Sequence, residues 1–133
     1  MKRTDDTFIY DILIAADSVR DYVRGVTRET FLSKSDAMVQ DAVIRQVGII
    51  GEAASKLSPS FRATHPTVPW GQIIGMRNIV IHQYWEVNLD VVWAAATQDV
   101  PALAKKLSAA LSGGGVRERF VSDRPTRTRS RKR

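Results

Sequence analysis

Cysteine is absent from this chain of 133 residues, and histidine occurs only twice. The lack of cysteine excludes disulfide frameworks, thiolate metal sites and cysteine nucleophiles, and two histidines argue against a histidine-rich metal site. No apolar run approaches the roughly 20 residues that a membrane-spanning helix needs. Residues 1–3 are followed by Thr4, Asp5 and Asp6 rather than by the apolar stretch of a signal peptide. We therefore expect neither a membrane span nor secretion, and a cytoplasmic location.

The excess of positive charge is confined to the C-terminal end of the chain. The formal net charge is +6, yet residues 1–112 carry 12 basic and 12 acidic side chains, whereas residues 113–133 carry 8 basic and 2 acidic ones. This end begins with three glycines and has few large apolar residues, a composition that favours disorder. We predict a helical domain at 1–112 and a flexible Arg-rich tail at 113–133. The tail either only solvates the protein or adds salt-sensitive affinity for RNA phosphates.

Apolar residues within positions 1–112 recur at three- and four-residue spacing, which predicts helices, and no segment shows strand alternation bounded by hairpin signals. The first predicted helix runs from about Phe8 to Val23 and stops at Gly25. A short turn is expected at 27–32, and a long helix at 36–57.

Prolines punctuate the second half of the chain. Residues 58–69 hold three prolines and predict a loop, and the last of them suits the first turn of a third helix that runs to about Tyr84. A fourth helix begins at Asn88 or Leu89, and Pro101 kinks or restarts it. These short connections predict a single all-α domain, an up-and-down bundle of four to five helices.

The third helix keeps four polar side chains in an otherwise apolar segment: Arg77, Asn78, His82 and Tyr84. At about 100° per residue, Tyr84 lies about 20° from Arg77, and His82 lies about 40° from Asn78. Arg77 and His82 differ by about 140°, so the two side chains flank a face. The spacing permits them to converge without requiring it.

Periodicity alone leaves two interpretations of these residues open. In the structural one, Arg77 pairs with an interior carboxylate such as Glu52, His82 is a hydrogen-bonded core histidine, and Tyr84 packs its ring and leaves its hydroxyl in water. In the other interpretation these residues form a functional site, and the identity of the residues favours this interpretation. Four further residues receive structural roles: Trp70 and Trp93 as core anchors, Gly51 and Gly75 as points of close helix packing.

The order Arg77-x4-His82-x-Tyr84 resembles the Arg-x4-6-His motif of HEPN domains, all-helical proteins many of which are metal-independent endoribonucleases. The chain is similar to the HepT toxin branch over roughly residues 7–110. An ordered series of segments carries this resemblance, which makes it more specific than an isolated Arg and His. The segments are Asp41-Ala-Val-Ile-Arg45, Ile49-Ile-Gly-Glu-Ala-Ala-Ser-Lys-Leu-Ser58, Pro69-Trp70, Ile73-Ile-Gly-Met-Arg-Asn78, His82-x-Tyr84 and Asn88-Leu-Asp-Val-Val-Trp93.

The resemblance implies a HEPN-type bundle and a role for each polar residue. His82 is expected to take the proton from a ribose 2′-hydroxyl, and Arg77 to stabilise the charge on the phosphoryl oxygens, giving a 2′,3′-cyclic phosphate. The departing 5′-oxygen needs a second proton, and His65, the other histidine, lies in the proline-rich loop. A homodimer through helix 3 supplies His82 and Arg77 twice. Asn78 either orients His82 or bonds a backbone carbonyl.

Tyr84 implies a partner protein. In the HepT branch, the tyrosine two residues after the histidine accepts AMP groups from a partner nucleotidyltransferase antitoxin of the MNT type. Tyr84 occupies that position, so the resemblance implies a toxin of a toxin–antitoxin pair that AMPylation neutralises. A nucleotide there adds charge and bulk where the RNA backbone must sit.

Two other functions stay open. The first is a non-catalytic helical adapter, a substrate-binding partner of a nucleotidyltransferase; some HEPN relatives of this kind lack the Arg-x4-His motif, which this chain retains. The second is an RNA-binding module driven by the tail, which the neutral charge of residues 1–112 disfavours. The sequence has no Gly-rich phosphate loop, dinucleotide fingerprint or metal-ligand cluster, so we expect no cofactor and no metal.

Overall fold

The chain is helical in both of the ranges that a computed structural model describes, residues 4–78 and 88–111, and neither range contains a strand. The predicted all-α bundle is thereby confirmed. In chain order the elements are α1 (Asp5–Val23), α2 (Arg28–Phe31), a 3₁₀ turn (Lys34–Asp36), α3 (Ala37–Ser55), α4 (Pro59–Ala63), α5 (Trp70–Gly75), α6 (Leu89–Ala94), a π-helical turn (Ala95–Asp99) and α7 (Val100–Ala110).

The two longest helices, α1 and α3, pack against each other in antiparallel orientation. Asp5 at the start of α1 accepts hydrogen bonds from the backbone N–H of Ser58 at 2.8 Å and from its hydroxyl at 2.7 Å. Because Ser58 lies just beyond the end of α3, these bonds fix how the two helices are aligned. Gly25 follows α1 with a φ of +75°, a left-handed conformation that glycine adopts without strain. The predicted stop of the first helix at Gly25 is therefore confirmed.

The short helix α2 contacts both α3 and α6. Phe31 is fully buried, and its ring centroid lies 5.1 Å from that of Trp93 in α6. Gln40 of α3 donates a hydrogen bond to the Phe31 carbonyl at 2.7 Å, and Arg28 forms an ion pair with Asp90. Trp93 packs against the core as predicted, although its side chain is only partly buried.

Residues 58–69, predicted as a loop, include a helical turn. The proline of Ser58-Pro59 lacks an N–H, which suits the first helical position, and the Ser58 hydroxyl caps α4 by accepting the N–H of Phe61 at 3.1 Å. Trp70, half-buried at the start of α5, donates its indole N–H back to two carbonyls of this segment, each at 3.1 Å. The prediction of an uninterrupted loop is wrong, because the Ser-Pro pair that follows α3 also begins α4.

The last helical stretch changes its hydrogen bonding just before Pro101. Here α6 passes into α7 through the π-helical turn, in which the N–H of Val100 donates to the carbonyl of Ala95, five residues earlier. Pro101 has no N–H and its ring crowds the carbonyl four residues back, which favours a wider turn. The hydroxyl of Thr97 donates to the Trp93 carbonyl at 2.8 Å. The kink or restart predicted at Pro101 takes the form of a π turn.

Candidate functional site

The structure places two of the four predicted site residues. Arg77 and Asn78 follow α5 in helical conformation; Arg77 is partly exposed and Asn78 is exposed. His82 and Tyr84 lie outside the described residues. Three points therefore stay predictions: the position of His82 and Tyr84 relative to Arg77, the orienting role of Asn78, and the dimer through the third helix predicted from the sequence.

Gly51 of α3 lies directly against the backbone that carries Arg77. A Cβ atom at Gly51 would lie 2.6 Å from the backbone nitrogen of Arg77, 3.0 Å from the carbonyl oxygen of Ile73 and 3.1 Å from that of Ile74. A side chain at Gly51 would force one of the two backbones to shift, so the predicted close packing at Gly51 is confirmed. The same prediction for Gly75 is not borne out among the described residues, because this residue is exposed and none of them lies within 4 Å of the position its Cβ would take.

Glu52 follows Gly51 and pairs with Arg77. Its Oε1 accepts a hydrogen bond from Nη1 of Arg77 at 3.3 Å, and its Oε2 lies 3.7 Å from Nζ of Lys56, one turn further along α3. The side chains of Arg77, Glu52 and Lys56 are 39%, 51% and 54% exposed. The pairing of Arg77 with Glu52 that the structural interpretation named is present, but it lies at the surface rather than in the interior.

These three side chains, the Arg77 cluster, leave the arginine able to bind an anion. A guanidinium has five N–H donors in a planar fork, and Glu52 accepts a hydrogen bond from Nη1 alone. An ion pair between groups this exposed contributes at most about 1 kcal/mol, so a phosphate competes with it readily. With two cations and one carboxylate, the Arg77 cluster has a net charge of +1 that favours an anionic ligand.

His65, the other histidine of the chain, is held by neighbours in the segment before α5. Its ring stacks on Phe61 with centroids 4.4 Å apart, and its Nδ1 lies 3.1 Å from the Phe61 carbonyl and 2.9 Å from the Thr64 hydroxyl. These contacts give His65 a structural role beside Trp70.

A concave region lies between α1 and α7. This groove has a volume of about 450 Å³ and mostly apolar walls. Charged side chains from Asp17, Arg20 and Lys105 also line it, and Asp17, although buried, forms an ion pair with Arg20. Neither Arg77 nor Asn78 lines the groove, which separates it from the Arg77 cluster.

Two further observations concern the described ranges as a whole. Within residues 4–78 and 88–111, no three His, Asp or Glu side chains come together in a group that could hold a metal ion. None of the helices in these ranges is both long and apolar enough to cross a membrane. The Arg77 cluster itself contributes a single carboxylate, that of Glu52.

Lys56 is the member of the Arg77 cluster that sequence reasoning missed. Its signal is the spacing of Glu52 and Lys56, an acid followed four residues later by a base on a predicted helix, which places the two side chains on one face. Arg77 lies 25 residues from Glu52, and no local pattern signals that contact. The close approach at Gly51 is what joins them.

The fold and the Arg77 cluster define a class: a small all-helical protein with a partly exposed arginine that pairs with a surface carboxylate. Among known families, the model described as ribonuclease HepT-like matches residues 12–110. The chain therefore belongs to the HepT-like ribonuclease family of HEPN proteins.

Three curated relatives from archaea and bacteria carry ribonuclease names that are provisional. A protein of Methanocaldococcus jannaschii named as an RNase is 36% identical over 106 residues, 80% of this chain and 95% of that protein. A protein of Thermococcus cleftensis named as ribonuclease HepT is also 36% identical over 106 residues, 80% of this chain and 94% of its own length. A protein of Caldanaerobacter subterraneus named as an RNase is 33% identical over 105 residues, 79% of this chain and 92% of that protein. No solved structure matches the chain.

Proposed function

We propose that this chain is a metal-independent endoribonuclease toxin of the HepT type, which acts in the cytoplasm as a homodimer. The observation that carries the proposal is the Arg77 cluster: the arginine of the Arg-x4-His motif is partly exposed, and Glu52 accepts a hydrogen bond from only one of its nitrogens. Membership of the HepT-like ribonuclease family supports RNA as the substrate. The matched region ends at residue 110, which supports a helical domain at 1–112 followed by a separate tail at 113–133.

In the proposed reaction a ribose 2′-oxygen attacks the adjacent phosphorus and the bond from phosphorus to the 5′-oxygen breaks. His82 takes the proton of the 2′-hydroxyl, and the remaining N–H donors of Arg77 stabilise the negative charge on the phosphoryl oxygens. The partner subunit's His82 gives a proton to the departing 5′-oxygen. The products are a 2′,3′-cyclic phosphate and a 5′-hydroxyl, and Asn78 orients His82 from one helical turn away.

We propose further that a cognate MNT-type nucleotidyltransferase neutralises the nuclease by adding AMP to Tyr84. The transfer joins the phenolic oxygen to the α-phosphorus of ATP and releases pyrophosphate. On the predicted third helix, Tyr84 is about 20° from Arg77 around the axis, so the added phosphate is expected on the side that the RNA phosphate needs, where its charge competes for Arg77.

Cleavage of unmodified RNA by the purified chain in the presence of a chelator tests the catalytic proposal. Arg77→Ala and His82→Ala should each reduce the rate by about 10²-fold or more, the usual contribution of a charge-stabilising donor or a general base. The matched controls are Arg45→Ala, an exposed arginine on α3, and His65→Gln. Normal cleavage by His82→Ala, or cleavage that depends on added metal, would refute the mechanism. A chain that binds the nucleotidyltransferase but cuts no RNA would be the non-catalytic adapter.

Intact-mass spectrometry after incubation with the cognate nucleotidyltransferase and ATP tests the role of Tyr84. The wild-type chain should gain one or more AMP groups and Tyr84→Phe none, because phenylalanine keeps the ring and removes the nucleophilic oxygen. The control is Tyr22→Phe, which removes an exposed phenol from α1. AMP that still adds to Tyr84→Phe would place the acceptor elsewhere, and a wild-type chain that stays unmodified by an active partner would indicate neutralisation by binding.

A further inference from the structure

The carboxylate of Glu52 interacts with two cations, Arg77 and Lys56, at different distances. Its Oε1 accepts a hydrogen bond from Arg77 at 3.3 Å, whereas its Oε2 lies 3.7 Å from Lys56, an ion pair at a longer distance. All three side chains are about half exposed, so they have room to rotate. The Gly51 contact holds the two backbones together. Any rearrangement in the Arg77 cluster is therefore one of side chains.

A phosphate bound to Arg77 changes the balance within the cluster. The phosphate and Glu52 then compete for one guanidinium, and their like charges repel each other. Lys56 offers the carboxylate another partner on the same helix, at the four-residue spacing with the acid first that suits such a pair. Glu52 thus has a cation to which it can move without leaving the surface.

We infer that Glu52 is a movable counter-ion: it pairs with Arg77 in the free protein and is handed over to Lys56 when an RNA phosphate binds Arg77. This inference rests on the proposed function, because it assumes that Arg77 binds a substrate phosphate. Glu52 lowers the affinity of Arg77 for an RNA phosphate, because the carboxylate competes for the guanidinium. Lys56 raises that affinity again, because it pairs with the carboxylate once Glu52 leaves Arg77. The contribution of Lys56 to binding therefore depends on Glu52.

Fluorescence anisotropy with a labelled 2′-O-methyl RNA measures this dependence. The 2′-O-methyl group blocks the attacking oxygen, so the probe reports binding without cleavage. At low ionic strength, Glu52→Gln should bind about 2–5-fold more tightly than wild type, the range expected for loss of one exposed charge interaction. Lys56→Gln should bind more weakly, and this loss should shrink in the Glu52→Gln/Lys56→Gln double variant. Arg77→Gln should bind the probe weakly both in the wild-type chain and in the Glu52→Gln variant.

The chain offers a matched control on the same helix. Asp41 and Arg45 are exposed on α3 with the same four-residue spacing, and each lies 11 residues before its counterpart in the cluster. That separation is about 16 Å along the helix, beyond the screening length of about 10 Å at 0.1 M salt. Asp41→Asn and Arg45→Gln therefore report the effect of changing net charge alone. Thermal melting of every variant verifies that the fold is intact.

Three binding results would overturn the inference. Unchanged or weaker binding by Glu52→Gln would show that Glu52 is a fixed support for Arg77. If Lys56→Gln weakens binding equally in the wild-type chain and in the Glu52→Gln variant, Lys56 acts independently of Glu52. Absence of probe binding by the wild-type chain would also overturn it. Cleavage of unmodified RNA tests the proposed function separately. If the effect of Lys56→Gln depends on Glu52 but the chain cuts no RNA, the proposed nuclease activity is refuted. If the chain cuts RNA but the effect of Lys56→Gln does not depend on Glu52, the movement of Glu52 to Lys56 is refuted.

Discussion

Replacing Gly51 by alanine places a methyl group in the contact between α3 and the backbone of Arg77. The new Cβ would lie 2.6 Å from the Arg77 nitrogen and 3.0 Å from the Ile73 carbonyl oxygen. Ordinary contact distances are about 3.5 Å, so the two backbones must separate by about 1 Å. Because both neighbours are backbone atoms, rotation of a side chain cannot relieve the clash.

The expected loss of stability combines two opposing effects. Overpacking of a tight contact costs about 1–3 kcal/mol, while alanine is favoured over glycine within a helix by about 1 kcal/mol. The net change for Gly51→Ala is a destabilisation of about 0–2 kcal/mol, which lowers the melting temperature by up to about 8 °C for a domain of this size. Displacement of Arg77 by nearly 1 Å should also slow RNA cleavage by as much as about 10²-fold.

Gly75→Ala is the control, since no described residue lies within 4 Å of the position that its Cβ would take. The gain in helix propensity should raise the melting temperature by up to about 4 °C and leave cleavage unchanged. Calorimetry or circular dichroism on both variants, together with an RNA cleavage assay, makes the comparison. If Gly51→Ala is as stable and as active as Gly75→Ala, the backbone contact does not position Arg77 and the reasoning fails.

Two other perturbations test the start of α6 at Asn88 and the C-terminal tail. Asn88 accepts the N–H groups of Asp90 at 3.0 Å and Val91 at 3.3 Å, so Asn88→Ala should cost about 0.5–2 kcal/mol in chemical denaturation. Thr4→Ala, at a helix start without a side-chain cap, should cost less, and an equal cost would contradict the capping argument. Deletion of residues 116–133 should preserve the helical fold and the dimer in circular dichroism and light scattering, and reduce the salt dependence of RNA binding. Aggregation or a monomeric product would show that the tail is structural.

The helices were predictable from sequence because their signals are local. The stop at Gly25, the start at Asn88 and the disturbance at Pro101 each depend on one residue whose backbone preference is strong. The α4 turn escaped prediction because its five residues are too few to show apolar periodicity. Its only signal was the Ser58-Pro59 pair, which equally marks the end of α3.

The arrangement of the candidate site was predictable only in part. Arg77 was identifiable from its motif, and Glu52 from the need of an arginine for a carboxylate. The surface location of their pair depends on which face of α3 the neighbouring helix covers, and that is a property of packing rather than of residue type. Gly51 and Gly75 show the same limit: both are helical glycines followed by larger residues, yet only Gly51 has a backbone against it.

The adjacency of Gly51 and Glu52 couples packing to charge in this protein. A glycine that admits the Arg77 backbone also sets the next residue of α3 beside the guanidinium, because successive helical residues are separated by about 1.5 Å along the axis and about 100° around it. The carboxylate therefore reaches Arg77 from one side of the contact, while Lys56 on the following turn reaches the same carboxylate from the other. It follows that the core contact and the charge of the Arg77 cluster cannot vary independently: a change that moves α3 away from Arg77 also removes its counter-ion.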